Sequence, residues 1–166
     1  GFATANFNTW PLDCQALMII VMFIGGMSGS TSGGMKIIRF YMVNNIIYRK
    51  VESIFKPEIV HTFKVRNTTV DDSMAMTVLS FLIILLFLAA IGTFLFIIDG
   101  VGPETALSIV ACMLNNVGIA FRVAGPTESF AFLSVFGKIL GSIWMVLGRL
   151  ELFAVLILFL PSFWRK

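Results

Sequence analysis

The sequence predicts an all-α integral membrane protein, made of repeats in which a membrane helix, a re-entrant pore helix with its loop, and a second membrane helix follow one another. Of the 166 residues, 58% are hydrophobic and 13% are charged, an apolar share above that of ordinary soluble domains. Residues 74–98 carry no charge. As a helix they would extend roughly 37 Å, enough to cross a bilayer. A glycine-rich run at residues 25–34 breaks a second apolar stretch, which predicts one broken transmembrane helix.

The first predicted domain, residues 1–47, contains this broken helix. A helix is expected to begin at Pro11, because proline suits the first helical turn. Apolar residues 12–24 would extend only about 20 Å, too short to cross the membrane, and residues 35–47 would complete the crossing. Non-helical backbone at membrane depth is tolerated only where it is buried in protein or lines a watery cavity. Residues 25–34 therefore indicate a permeation pathway for a small solute.

Residues 48–73 are the most polar stretch and are predicted to form a cytoplasmic linker. Positive charges concentrate in and just before this stretch, and an excess of Lys and Arg marks cytoplasmic segments. They are Lys36, Arg39, Arg49, Lys50, Lys56, Lys64 and Arg66. Arg165 and Lys166 indicate the same side for the C-terminus, which agrees if two spans lie between. A multi-pass protein of the cell membrane is expected, and these basic clusters require no nucleic acid.

Residues 74–166 are predicted to form one complete repeat. The outer helix, residues 74–98, ends at a turn sequence, and Pro103 opens a pore helix that asparagine and glycine stop at residue 114. This helix would be roughly 18 Å long, about half the membrane thickness. The chain must then turn back through a loop at residues 115–120, and a long inner helix is predicted over residues 127–161.

An internal similarity supports the repeat. Gly1-Phe2-Ala3, which precedes Pro11, resembles Gly118-Ile119-Ala120, which precedes Pro126. Each of these segments is followed by a long predicted helix. Two copies of one unit are therefore expected, the first without its outer and pore helices, and four such units would close a pore. Because the chain does not begin with Met, it is expected to be a fragment.

The loop after the pore helix is the predicted ion filter. The partially negative C-terminal end of helix 103–114 points at the membrane centre, and extended backbone carbonyls can replace the hydration shell of a monovalent cation. Gly118 and Gly1 would let the backbone crowd a narrow axis. The predicted filter residues are Gly1, Phe2, Asn115, Asn116, Val117 and Gly118. The alternative for the two asparagines is a helix C-cap and turn, and their side chains are expected to brace the loop rather than bind the ion.

The glycine-rich run is interpreted as a gate beneath this filter. Its spacing approaches that of a nucleotide phosphate loop, but Met35 occupies the lysine position and Ile37 the position of the magnesium-binding hydroxyl. The predicted gate residues are Gly25, Gly26, Gly29, Ser30, Thr31, Gly33, Gly34, Lys36 and Arg149. Arg149 lies deep in an apolar stretch, where a lone cation is costly. Its expected partners are carbonyls and hydroxyls of the loop, and an interhelical ion pair is the alternative.

The remaining polar residues offer no catalytic constellation, so the chain is not expected to be an enzyme or to carry a cofactor. A single His and scattered acids do not form an active site. Cys14 and Cys112 show no metal or disulfide spacing. Lys138 has two equal interpretations, since its ammonium could extend outward to the membrane surface or lie behind the filter.

Four motifs resemble one family, the potassium transporters of the TrkH/KtrB type. Phe23 to Lys36 resembles the intramembrane loop of that family, and Leu114 to Gly118 resembles its fourth filter segment. Gly148 to Phe153 matches its last-helix signature, and Gly1 to Ala5 resembles the end of its third filter segment. The resemblance covers the whole chain.

By this resemblance, the full protein would hold four potassium-channel-like repeats around one pore, in a bacterial or archaeal inner membrane. It implies potassium uptake, with K⁺ bound at the backbone carbonyls of Asn116, Val117 and Gly118, and a gate at residues 25–34 that Arg149 contacts. It also implies a homodimer and a cytoplasmic nucleotide-binding subunit of the TrkA/KtrA type. Ile119-Ala120 replaces the Pro-Gly that often continues the fourth segment. One alternative is therefore a sodium-permeable or ion-coupled cation carrier. The other is a non-conducting membrane fragment or assembly subunit, since two of the four expected filter segments are absent from this sequence.

Overall fold

The computed structural model describes residues 1–27, 29–30, 33–55, 64–65, 68–69 and 72–150. The described chain is helical, as predicted, apart from one small hairpin within the expected linker. The helices are α1 (Leu12–Ile24), α2 (Ile37–Phe55), α3 (Asp72–Ile98), α4 (Pro103–Leu114) and α5 (Val135–Arg149). The hairpin pairs β1 (Lys64–Val65) with β2 (Thr68–Thr69) in antiparallel register. Short 3-10 turns lie at Phe7–Thr9, Arg122–Ala124 and Phe130–Phe132.

The glycine-rich run separates α1 from α2. α1 covers the apolar stretch that begins after Pro11, and it ends at Gly25, whose φ of 73° lies outside the helical region. α2 begins at Ile37 and continues to Phe55, beyond the expected end at residue 47. The start of the expected linker is therefore helical, because no glycine or proline interrupts the sequence until Pro57.

α3 is the one described helix that is long and apolar enough to cross a membrane. Its segment Ser73–Ile98 has 26 residues and a mean hydropathy of 3.1. One face packs into the core through residues at helical spacing, namely Val78, Phe81, Leu85, Ala89 and Phe96. Other faces expose large apolar side chains such as Ile83, Phe87 and Phe94, which suits a helix in contact with lipid.

α4 lies at the centre of the described fold. Nine of its twelve residues are buried: Thr105, Ala106, Ser108, Ile109, Val110, Ala111, Cys112, Met113 and Leu114. α3, α5 and α1 all pack against it. α4 is thus a short apolar helix enclosed by longer helices. The chain that follows its C-terminal end therefore begins inside the fold.

The last described helix begins later than the sequence indicated. α5 starts at Val135 instead of residue 127, after a 3-10 turn in which the Ser129 hydroxyl accepts from the Ala131 N–H. The Ser134 hydroxyl caps α5 by accepting from the Gly137 N–H at 2.9 Å, and it donates to the Asp99 carboxylate at 2.6 and 2.8 Å. A cap supported by a distant carboxylate therefore decides the helix start. The expected end at residue 161 lies outside the described residues.

Candidate functional site

The backbone leaves α4 through a Schellman motif. The Asn116 N–H donates to the Met113 carbonyl at 3.3 Å, and the Val117 N–H donates to the Cys112 carbonyl at 2.9 Å. Asn116 has a left-handed φ of 55°, which asparagine tolerates better than most residues. The alternative interpretation, a helix C-cap and turn, therefore describes this backbone correctly. The same motif directs residues 117–120 away from the helix.

The side chains of both asparagines hold backbone groups. Asn115, only 1% exposed, donates from Nδ2 to the Ala111 carbonyl at 2.8 Å. Asn116 donates from Nδ2 to the Met145 carbonyl of α5 at 3.4 Å. The Oδ1 atom of Asn115 is buried and has no hydrogen-bond partner among the described residues. The Nδ2 groups of both side chains thus brace the turn and its packing on α5.

Gly118 and Gly1 lie in direct contact. Gly118 has a φ of 96°, and a Cβ added to it would lie 2.8 Å from the Gly1 Cα and 3.2 Å from the Gly1 nitrogen. Real Cβ atoms do not make contacts this short, so glycine is required at this position. The two segments that the sequence singled out as copies of one unit therefore meet at their equivalent glycines.

The glycine-rich loop folds back on itself. The Ile37 N–H donates to the Gly26 carbonyl at 3.0 Å, and a Cβ added to Gly25 would lie 3.1 Å from the Gly33 carbonyl oxygen. The last residue of the break, Lys36, has a left-handed φ of 60°. Gly29 and Ser30 are exposed at the far end of the loop. The end of α1 and the start of α2 thus lie side by side, with the loop as an excursion between them.

The inner part of the loop packs under the asparagines. A Cβ added to Gly33 would lie 2.7 Å from Asn116 Nδ2 and 2.9 Å from the Gly148 carbonyl oxygen of α5. A Cβ added to Gly34 would collide with the Asn115 Oδ1 atom. Gly33 and Gly34 are both buried. The structure therefore brings predicted gate glycines into contact with predicted filter residues.

Three other predicted site residues remain besides those at this contact between the loop and the end of α4. Arg149 follows Gly148 at the end of α5, beside this junction, and its side chain is exposed. Phe2 is fully exposed. Thr31, the remaining predicted gate residue, lies outside the described residues.

Lys138 lines a cavity of about 350 Å³ beside the 116–118 segment. The cavity walls also include Asn116, Gly118, Met113 and Met145, so the lysine shares this space with the predicted filter. Its side chain is exposed. Both interpretations that the sequence left open for Lys138 remain predictions.

Sequence reasoning missed the polar residues that fasten the N-terminal segment. Gln15 of α1 is 6% exposed, and its Nε2 atom lies 2.9 Å from the Trp10 carbonyl oxygen and 3.1 Å from that of Asn8. The Asn8 side chain in turn binds Arg122. A glutamine within an apolar helix was a usable signal for a buried polar role. Asn8 carried no such signal, because its partner is 114 positions away.

Comparison with known families gives one match over the full chain. The family model described as "TrkH: Cation transport protein" matches residues 1–166. The Trk system potassium uptake protein TrkH of Halomonas elongata is 38% identical over 169 residues. The Trk system potassium uptake protein TrkG of Escherichia coli is 32% identical over 170 residues. Both alignments cover 100% of this chain and 34% of the relative, so the chain spans about a third of the length of these curated relatives.

A solved structure has the same fold. The crystal structure of the potassium transporter TrkH from Vibrio parahaemolyticus matches with a TM-score of 0.89 and 33% sequence identity. The match covers 99% of this chain and 35% of that one. The arrangement of helices and loops described above is therefore similar to that of one part of a potassium transporter.

Proposed function

Because the chain belongs to the TrkH family of cation transport proteins, we propose that it forms part of a potassium-uptake pathway across the cell membrane. The curated relatives bear the name of potassium uptake proteins, and the family is one of transporters rather than enzymes. K⁺ is the transported ion in this proposal, and no cofactor is part of it.

Selectivity is assigned to the backbone carbonyls of Asn116, Val117 and Gly118, together with Gly1, the equivalent of Gly118 in the preceding repeat, and Phe2, which follows it. The observation that carries this assignment is the contact between Gly118 and Gly1, where a Cβ would come within 2.8 Å of the opposing backbone. Carbonyls of an extended segment can replace the hydration shell of K⁺. The negative end of α4 adds a favourable potential for a cation at the same place.

Gating is assigned to the loop at residues 25–34 together with Lys36 and Arg149. Supporting this, the loop is a folded-back excursion whose buried glycines, Gly33 and Gly34, touch Asn115 and Asn116. A segment of this kind can move without unfolding α1 or α2, because its two ends are held together by the hydrogen bond from Ile37 to Gly26. Displacement of the loop would open the space directly below the filter.

Partners and membrane orientation follow from the family resemblance and from the charge pattern. We infer a homodimer and a cytoplasmic nucleotide-binding subunit of the TrkA/KtrA type. The basic residues Arg49 and Lys50, near the end of α2, support a cytoplasmic position for residues 48–73, and Arg165 and Lys166 support the same side for the C-terminus. Light scattering of the purified protein and co-purification with that subunit would test the two partners.

The experiment that tests this function is potassium-limited growth with rubidium uptake, in cells that lack their own potassium systems. The full-length protein is compared with Gly118→Ser, with a version shortened within residues 25–34, and with Gly102→Ala as a matched control. A Cβ on Gly102 meets no atom within 4 Å, so the control should transport normally. Gly118→Ser should lower uptake by about tenfold or more, since a left-handed L-residue alone costs roughly 1–2 kcal/mol.

The outcomes separate the proposed roles. Loss of uptake, or new sodium permeability, in Gly118→Ser supports the filter, and altered flux in the shortened version supports the gate. A sodium-permeable wild-type protein would favour the alternative carrier, as Ile119-Ala120 allows. If a correctly inserted wild-type protein gives no uptake, or if uptake is indifferent to Gly118, the filter assignment is wrong.

A further inference from the structure

The side chain of Asn8 holds both backbone groups of Arg122. The Arg122 N–H donates to Asn8 Oδ1 at 2.8 Å, and Asn8 Nδ2 donates to the Arg122 carbonyl at 2.8 Å. One amide thus supplies the pair of hydrogen bonds that a residue on a neighbouring antiparallel strand would supply. We propose that Asn8 is a positioning residue for cation selection, which acts by fixing the backbone that follows Gly118. This inference rests on the proposed function, because it takes residues 116–118 as the filter.

Arg122 needs such a support, because its backbone is in an unfavourable conformation. Its φ of 59° lies in the left-handed region, where the Cβ of an L-residue crowds the following carbonyl. Gly125 makes room for the supporting amide, since a Cβ there would lie 3.0 Å from Asn8 Cγ and would collide with Asn8 Nδ2. The Asn8 side chain fits this space and satisfies both exposed backbone groups of the strained residue.

The strained residue is also attached to the predicted pore helix. Arg122 Nε lies 2.9 Å from Glu104 Oε2 in the first turn of α4, and the neighbouring Phe121 N–H donates to the buried Ser108 hydroxyl at 3.2 Å. Arg122 and Glu104 are 39% and 68% exposed, so their ion pair alone contributes little. The two hydrogen bonds from Asn8 add a restraint on the Arg122 backbone that comes from outside the repeat.

The N-terminal segment that carries Asn8 is itself rigidly held. The Phe7 ring lies 5.1 Å from the Phe121 ring at an edge-to-face angle of 66°, and both side chains are buried. Gln15 fixes the carbonyl of Asn8 from α1 at 3.1 Å. Asn8 thus links two anchored segments, one that begins at Gly1 and one that begins at Gly118.

The consequence concerns the spacing of the filter carbonyls. The Gly118 backbone is bounded on one side by Gly1 and, a few residues further along the chain, by the fixed Arg122. If Asn8 is removed, the 118–122 segment gains freedom, and the carbonyls can adjust to ions of another size. Discrimination between K⁺ and Na⁺ should fall, while the pathway itself stays open.

Rubidium uptake by the full-length protein, measured with increasing competing Na⁺ and normalised to the protein present in the membrane, tests this role. The variants are Asn8→Ala, which removes both hydrogen bonds, and Asn8→Asp, which keeps the bond from the Arg122 N–H and loses the donor. Asn45→Ala is the matched control, because Asn45 also donates from Nδ2 to a backbone carbonyl, that of Tyr41, but within α2. We expect Asn8→Ala to lower the preference for Rb⁺ over Na⁺ by about tenfold, a change within the net free energy that two hydrogen bonds contribute. Maximal uptake should change by less than roughly threefold. Asn8→Asp should lie between Asn8→Ala and wild type.

Two results would overturn the inference while leaving the proposed function intact. One is wild-type Na⁺ competition in Asn8→Ala when wild-type protein takes up Rb⁺ normally. The other is the absence of both Asn8 variants from the membrane while Asn45→Ala is retained, since Asn8 would then serve folding and not selectivity. The proposed function itself would be wrong if the wild-type protein showed no Rb⁺ uptake that is inhibited by competing K⁺.

Discussion

Gln15 shows how a single polar side chain can hold a loop together at the start of an apolar helix. The Trp10 N–H already satisfies the Phe7 carbonyl of the 3-10 turn Phe7–Thr9, whereas the Asn8 and Trp10 carbonyls receive their hydrogen bonds from the Gln15 side chain. The Nε2 atom of Gln15 lies within 3.4 Å of the Phe7 carbonyl oxygen and nearer to those of Asn8 and Trp10. Since Gln15 is buried, loss of this donor would leave carbonyls unsatisfied where water has poor access.

Replacement of Gln15 by methionine is expected to destabilise the protein. Gln15→Met keeps the length of the side chain and removes the donor, so the cost should be that of buried unsatisfied carbonyls, about 1–3 kcal/mol. Thermal unfolding of the purified full-length protein in detergent measures it. Thr77→Val is the control, since the exposed Thr77 hydroxyl donates to the Ser73 carbonyl within its own helix. Equal midpoints for Gln15→Met and the control would contradict this role for Gln15.

The contrast between Asn115 and Asn8 shows which side-chain roles a sequence can reveal. The bracing role of Asn115 was predictable, because a helix stop is a local signal and the partner, the Ala111 carbonyl, lies four positions away. Asn8 occurs in a short polar segment with no periodic pattern. Its partner, Arg122, comes close only after the whole chain has folded, and no local rule predicts it.

Helix boundaries, too, are predictable where the signal is local and unpredictable where it depends on a distant residue. α4 begins at Pro103 and ends at Leu114, as its proline and its asparagines indicate. For α5, the sequence around Pro126 has the form of a helix start, but Ser134 is the residue that caps the helix. The Ser134 hydroxyl is held by Asp99, which is 35 positions away. Local start signals are therefore reliable only where no tertiary contact supports a competing cap.

The packing of α5 on the end of α4 depends on Gly148. A Cβ there would collide with the Leu114 carbonyl oxygen and would lie 2.8 Å from Asn116 Nδ2. Gly148→Ala should therefore force the two helices apart, with a loss of about 1–3 kcal/mol typical of overpacking, and uptake should fall with it. Unfolding midpoint and rubidium uptake are measured together.

Gly102→Ala is the control for Gly148→Ala, because its added Cβ meets no atom within 4 Å. A Gly148→Ala protein with the stability and uptake of this control would show that α4 and α5 are less closely packed than the structure indicates.

At the scale of the whole molecule, the glycine-rich loop packs against the C-terminal end of α4 and so joins the two halves of the chain. The sequence predicted the glycine-rich break and the turn at residues 115–118, with the break interpreted as a gate beneath the filter, and the family resemblance implied the same arrangement. What neither pattern could supply is the contact itself, in which Gly33 and Gly34 lie against Asn116 and Asn115. Glycines are needed there because segments of the loop, α4 and α5 meet, and the Asn115 and Asn116 side chains and the Gly148 carbonyl fill the space that a Cβ would take. Their spacing in sequence does not identify which segments those are.

The charge pattern predicts the direction in which the chain crosses the membrane. α3 has the length of a membrane span, and the basic residues precede it, so Ser53 should face the cytoplasm and Gly102 the outside. In a full-length background from which the native cysteines, Cys14 and Cys112 among them, have been removed, a membrane-impermeant maleimide applied to intact cells should label Gly102→Cys at once. Ser53→Cys should be labelled only after the cells are opened. Because α2 reaches Phe55 in one unbroken helix, Ser53 reports the side on which the polar stretch lies. If Ser53→Cys is labelled in intact cells, the chain has the opposite orientation in the membrane. The 118–124 segment would then face the cytoplasm.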